Sequence, residues 1–191
     1  MRIIAGEFRS RKLEAPAGMA TRPTSDRLRE TLFNVLAPRI EGATFLDLYA
    51  GSGAVGIEAL SRGAKSVVFV ERAPAALAAL RGNLDRLGLI AGFRIQSGSV
   101  GAWLRKTSVG GATFDLVFLD PPYEAEEEYA AALGMLGGDA AGLLAPGALV
   151  IAEHRSRAGR KGRLEERYGK LERTRILEQG DAALSFYSAA S

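Results

Sequence analysis

Asp47-Leu48-Tyr49-Ala50-Gly51-Ser52-Gly53-Ala54-Val55-Gly56 decides how the rest of the chain is read. The stretch ends a short apolar run, residues 44–50, and opens an apolar segment, residues 54–62, closed by Gly63. A strand turning through glycines into a helix brings backbone N–H groups close to a ligand, because glycine tolerates unusual φ and carries no Cβ. Gly51, Gly53 and Gly56 spell GxGxxG, and Glu71 follows Gly51 by 20 residues at the end of Ser66–Glu71. A carboxylate there can accept hydrogen bonds from ribose hydroxyls. The plainer alternative is a tight strand–helix turn that holds nothing.

Outward from this loop, strand and helix patterns alternate. Ser66–Glu71 is β-branched and aromatic, which suits a strand. Pro74 opens a helix in which Leu77, Leu80, Leu84 and Leu87 recur at helical spacing, with Gly88 at its C-terminal cap. Residues 93–96 read as a weak strand, 114–120 as a strand, Glu126–Leu136 as a helix and 148–153 as a buried strand. The last strand, 183–188, pairs with part of 163–177. Before the loop, residues 26–37 read as a helix stopped by Pro38, its apolar face made by Leu28, Leu32, Val35 and Leu36. Such alternation predicts an α/β fold: a mostly parallel seven-stranded sheet, helices on both faces, and a short basic N-terminal extension. Two segments are expected, an arm and helix over 1–39 and the α/β domain over 40–191.

Composition removes several chemistries. The chain has 191 residues, 47% hydrophobic and 25% charged, which fits one folded domain and not a disordered or fibrous chain. Cysteine is absent and His154 is the lone histidine, so disulfides, thiolate nucleophiles and two-histidine metal sites are excluded. No metal site is expected. Residues 129–152 have the length of a membrane span, but Gly137-Gly138-Asp139 and Pro146-Gly147 interrupt them. The N-terminus lacks an export signal, so a cytoplasmic protein without membrane association is expected.

The formal net charge of +3 hides opposed parts. Residues 1–39 carry net +4, 40–153 carry −5, 154–175 carry +6, and 176–191 carry −2. An acidic centre lies between two basic segments, a distribution that fits a polyanionic partner.

The ligand of the glycine loop is either a dinucleotide or S-adenosylmethionine, since both offer a ribose to Glu71. Asp47 favours the second, because a carboxylate beside the loop suits a cationic methionine end and repels a pyrophosphate. The plainer reading of Asp47, a turn-stabilising carboxylate, is compatible with that role. A second constellation, Asp120-Pro121-Pro122-Tyr123, follows the 114–120 strand. Two prolines stiffen the backbone and leave carbonyls as acceptors. Asp120 adds a carboxylate, and Tyr123 a stacking face. Together they suit a planar group bearing an amino substituent. A Pro-Pro turn leaving a strand is the plainer alternative.

With both constellations in place, the sequence resembles the class I S-adenosylmethionine-dependent amino-methyltransferases, a Rossmann-like fold. Arg2-Ile3-Ile4-Ala5-Gly6, Arg9, Arg11-Lys12-Leu13 and the run from Arg22 to Asn34 narrow the resemblance to the RsmD family, the 16S ribosomal RNA guanine-N2 methyltransferases. Residues 22–34, 47–62 and 120–123 carry it most specifically. The resemblance implies methyl transfer from S-adenosylmethionine to N2 of a specific guanine in 16S rRNA, within the small ribosomal subunit or its precursor; a monomer is the default expectation. It implies cofactor contacts from Asp47, Tyr49, Gly51, Ser52, Gly53, Glu71, Arg72 and Ser99. Asp120, Pro121 and Tyr123 are implied at the target base. Gln96-Ser97-Gly98-Ser99 departs from the Asp or Asn such enzymes present to the adenine amino group, leaving Ser99, Ser97 or a backbone group for that contact.

Arg9, Arg11, Lys12, Arg22, Thr24, Arg27 and Arg29 are the candidate RNA contacts, against the plainer alternative of a solvated basic surface. His154 is expected at the surface, Trp103 in packing, and Glu126–Glu128 at the positive end of a helix. A DNA adenine methyltransferase explains both constellations but not residues 22–34. A nicotinamide-dependent oxidoreductase leaves Asp120–Tyr123 unexplained, and a non-catalytic RNA-binding module leaves the glycine loop idle.

Overall fold

A computed structural model describes residues 1–16, 26–107, 111–122, 125–156 and 164–189. The chain divides into two compact units, Met1–Ser99 and Val100–Ser191. The N-terminal residues and the helix after them fall in the same compact unit as the glycine loop.

In the first unit, residues 1–13 form a tight hairpin, with Ile3 N–H donating to the Arg11 carbonyl at 3.0 Å and Leu13 N–H to that of Met1 at 3.0 Å. Ile3 and Leu13 are buried, which docks the hairpin and leaves Arg9, Arg11 and Lys12 exposed. Helix α1, Asp26–Ile40, has an acidic first turn that complements the helix dipole. It runs through Pro38 instead of stopping there, because a proline in the last turn removes one N–H bond while buried Ile40 anchors the end. Strand β1, Thr44–Leu48, is buried from Phe45 onward, as a parallel strand covered on both faces should be. Helix α2, Ala54–Ser61, is almost wholly buried. Strand β2, Ser66–Glu71, helix α3, Pro74–Leu87, and strand β3, Phe93–Ser97, follow. Gly88 caps α3 in the left-handed conformation. The strands are parallel in the order β3-β2-β1, with Asp47 opposite Phe69 and Glu71 opposite Ser97.

The second unit holds α4, Val100–Thr107; β4, Phe114–Leu119; α5, Glu126–Leu136; β5, Leu144–Arg155; β6, Arg167–Tyr168; β7, Leu171–Gln179; and β8, Ala182–Ala189. Strand β5 is parallel to β4, whereas the pairs β5–β8, β7–β8 and β6–β7 are antiparallel. The fold is thus mixed, with eight strands among the described residues, not mostly parallel with seven. Short hairpins join the last strands, and a two-residue edge strand carries too little pattern to be read from sequence. Pro146 and Gly147 lie inside β5, where the register jumps from Leu144 opposite Phe114 to Leu149 opposite Leu116. A bulge absorbs the breakers that were expected to end a loop. Helix α4 escaped the sequence pattern because its eight residues make only about two turns, too few to repeat an apolar period. Its Trp103 packs against Phe114 with ring centroids 6.3 Å apart. Among the described residues no helix is long and apolar enough to cross a membrane.

Candidate active site

The C-terminal ends of β1 and β2 build the glycine loop. Tyr49, Gly51 and Gly53 have φ of 62°, 57° and 80°, so the chain turns through the left-handed region three times in five residues. For Tyr49 this is a strained conformation, of the kind held by surrounding structure at ligand sites. Two carboxylates pin the turn. Asp47, at the end of β1, accepts the Gly56 N–H at 2.9 Å through Oδ2. Glu71 accepts the Gly51 N–H at 2.8 Å through Oε2, and those of Arg72 and Ala73 through Oε1. The spacing read from the sequence thus corresponds to a direct bond between carboxylate and loop.

The glycines have separate duties. A Cβ on Gly56 would lie 2.3 Å from the Phe69 ring, so its absence lets α2 pack onto β2. A Cβ on Gly53 would meet Leu80 of α3 at 2.3 Å. A Cβ on Gly51 would meet nothing within 4 Å, so Gly51 faces open space. That opening lies beside Glu71, whose Oε2 retains acceptor capacity after its bond from Gly51. Burial raises the Asp47 carboxyl to about 7, against the lowering effect of the Gly56 bond. A buried carboxyl of this kind gains from a cation and suffers from an anion. Arg72 is exposed just beyond Glu71, Ser52 is buried in the loop, and Ser99 stands two residues past Ser97.

In the second unit, Asp120 and Pro121 leave the end of β4, Asp120 half-buried and Pro121 buried. Buried Tyr129 of α5 donates its hydroxyl between two carbonyls, Glu153 at 2.9 Å and Pro121 at 3.3 Å. Glu126–Glu128 form the first turn of α5, as expected of a dipole-complementing run. Tyr123, Arg22 and Thr24 lie outside the described residues.

Two expectations are corrected here. Arg29 is 0% exposed, with Nη2 2.9 Å from Asp26 Oδ1 and Nε 3.8 Å from Glu58 Oε2. A guanidinium committed to these carboxylates does not face a phosphate. His154 is buried, its Nε2 2.8 Å from Ser185 Oγ and its Nδ1 2.9 Å from the Arg155 carbonyl, and burial lowers its pKa. Arg27 is exposed like Arg9, Arg11 and Lys12.

Other residues were missed. Glu58, buried on α2, accepts the N–H groups of Ile4 and Ala5 at 2.8 and 3.1 Å and Arg62 Nε at 2.7 Å. Ser61 adds bonds to Phe8 N–H and the Ala5 carbonyl. Asn83 lies buried in α3. Each left a trace: Glu58 is the lone charge in an apolar helix, and Asn83 follows Leu80 by three on the leucine face.

A family model described as conserved hypothetical protein 95 matches residues 1–188. The chain belongs to the RsmD family. This RsmD-family protein is 36% identical over 187 residues to YlbH of Bacillus subtilis, provisionally named an rRNA methyltransferase, with 98% of each chain covered. It is 43% identical over 123 residues to the ribosomal RNA small subunit methyltransferase D of Escherichia coli. That match spans 64% of this chain and 60% of the relative. Among solved structures, the E. coli protein yhhF, provisionally called a methyltransferase, superposes with TM-score 0.83 at 35% identity, covering 100% of this chain and 98% of that one. A hypothetical protein of Thermus thermophilus gives 0.80 at 34% identity, over 97% and 98%. The fold is that of the class I methyltransferases.

Proposed function

We propose that this protein transfers a methyl group from S-adenosylmethionine to an exocyclic amino group in ribosomal RNA, N2 of a guanine in the 16S molecule. One observation carries the reading: Gly51, in a loop pinned by the buried Asp47 carboxyl and bonded to the Glu71 carboxylate, faces open space. That set fits the cofactor. Glu71 would hold its ribose hydroxyls and Asp47 its cationic amino-acid end, while Tyr49, Ser52, Gly53, Arg72 and Ser99 would supply the remaining contacts. The same buried carboxyl disfavours a dinucleotide pyrophosphate. The names of the E. coli and B. subtilis relatives support an rRNA substrate.

S-adenosylmethionine supplies an electrophilic methyl group on a sulfonium. The chain supplies position and acceptors. A guanine N2 lone pair is delocalised into the ring and attacks poorly. The Asp120 carboxylate and Pro121 carbonyl would accept its two hydrogens and favour a more tetrahedral, nucleophilic nitrogen. Tyr123 would stack on the base. No strong base is required, because the nitrogen becomes acidic on methylation and its proton passes to Asp120 or water. Arg9, Arg11, Lys12 and Arg27, with Arg22 and Thr24, would hold RNA phosphates and present an unstacked base. The working form would be a cytoplasmic monomer acting on the small subunit or its precursor.

Labelled methyl incorporation into naked 16S rRNA, immature small subunits and duplex DNA tests the substrate. Label in DNA alone refutes the proposal. Asp120→Ala should abolish transfer while calorimetric cofactor binding survives. Lost cofactor binding would place Asp120 in the wrong role.

A further inference from the structure

Glu14, where the chain leaves the N-terminal hairpin, and Ser52 of the glycine loop share one buried partner, the Asn83 side chain. Asn83 is 1% exposed, and all four hydrogen-bonding positions of its amide are used. Oδ1 accepts the Glu14 N–H at 2.9 Å and Arg86 Nη2 at 3.3 Å. Nδ2 donates to the Glu14 carbonyl at 3.0 Å and to the Ser52 carbonyl at 3.0 Å. The orientation of the amide follows from its partners, since one N–H needs an acceptor and two carbonyls need donors.

Two features make this more than a core amide. Asn83 pairs with both backbone groups of Glu14, as a neighbouring strand would, although 69 residues separate them. Its third bond goes to Ser52, the middle residue of Gly51-Ser52-Gly53. Holding that carbonyl fixes the peptide plane between Ser52 and Gly53, beside the Gly51 opening. Other contacts brace the same junction. Glu14 and Arg86 form an ion pair, and the Ser52 hydroxyl lies 4.0 Å from the Met1 thioether. If the hairpin lifts, the Asn83 amide loses both Glu14 bonds and a buried polar group is left partly unsatisfied. Ser52 then loses its fixed partner.

We propose that Asn83 is a positioning residue that couples the N-terminal hairpin to the glycine loop, so that RNA on the hairpin and cofactor on the loop bind cooperatively. RNA held on the seated hairpin keeps the Asn83 network complete and the loop ordered. Linkage makes the effect reciprocal, so each ligand tightens the other by the same factor. The cooperative part rests on the RNA-binding reading of the hairpin given above. The tether itself does not.

The test uses the full chain and S-adenosylhomocysteine, which keeps the adenosine and amino-acid ends but has no methyl to transfer. Its affinity is measured by calorimetry with and without saturating 16S rRNA, for wild type, Asn83→Asp and Glu14→Pro. Asn83→Asp keeps the acceptor and removes the two Nδ2 donors, whereas Glu14→Pro removes the N–H that Oδ1 accepts. Glu14→Gln controls for the lost side-chain charge. Wild type should bind about five- to tenfold more tightly with RNA present, a typical coupling. Both test variants should bind several-fold more weakly without RNA, and their RNA-dependent gain should fall to near one. Either variant retaining the wild-type gain, whatever its melting temperature, overturns the proposal and leaves Asn83 a purely structural residue. Should wild type not bind RNA, the RNA reading and the cooperativity fail together. Weakened affinity in the RNA-free variants would still establish the tether, and wild-type affinity there would refute it. Should Asn83→Asp not fold, Glu14→Pro decides.

Discussion

Asp47 links cofactor binding to pH in a direction the structure sets. Burial holds its carboxyl at about 7 in the free protein, so near neutrality it is about half protonated. A cationic amino-acid end favours the carboxylate, so binding should expel that proton. At pH 6 about one molecule in eleven carries the ionised form, and at pH 8 about ten in eleven, so apparent affinity should rise about tenfold between them. That is about 1.4 kcal/mol. Titration calorimetry of S-adenosylhomocysteine at several pH values, repeated in buffers of different ionisation enthalpy, measures both the affinity and the released proton. The ligand's own amine titrates too, so the decisive quantity is the ratio of wild type to Asp47→Asn. A ratio constant from pH 6 to 8 would refute the reasoning. The free protein has a matching signature. A carboxyl raised in the folded state contributes stability that is complete below 3.8 and lost as pH rises through 7.

Three further outcomes follow from packing and burial. Gly56→Ala forces a methyl group against Phe69 and Val67, so stability in a denaturant titration should drop by about 1–3 kcal/mol, and an unchanged midpoint would show that β2 can yield. Glu58→Ala removes the carboxylate that faces Arg29 and two hairpin N–H groups, and should cost about 3–5 kcal/mol, with Glu58→Gln milder because it keeps an acceptor; equal losses in urea denaturation would contradict this. His154 is held below its ordinary 6.5, so its contribution to stability is present above 6.5 and lost as pH falls. An Asp47→Asn background isolates that effect, because Asp47 acts in the opposite direction, and a flat midpoint from pH 7.5 to 5.5 there would remove it.

What could be read in advance was short-range. The bond from Gly51 to Glu71 joins two strand ends that a βαβ unit must bring together, so its spacing is visible in the chain. The cap at Gly88, the acidic first turn of α5 and the leucine face of α3 are likewise patterns within one element. Aromatic Trp103 and apolar Val100 did not suffice to announce α4, because eight residues make only about two turns and cannot repeat a pattern.

By itself the sequence determined the loop chemistry: which glycines turn, which carboxylates stand at the strand ends, and that neither thiol nor paired imidazole takes part. Only the tertiary structure decided the fate of charged and polar side chains away from that loop. Arg29 reads as one of seven candidate RNA contacts until Glu58 is brought beside it across the fold. Asn83 reads as a break in a leucine stripe until Glu14 arrives from 69 residues away. His154 reads as exposed until Ser185 of β8 pairs with it. A local pattern records which face of an element is apolar. Whether a polar group on that face meets a partner or water depends on chain segments that the pattern does not contain.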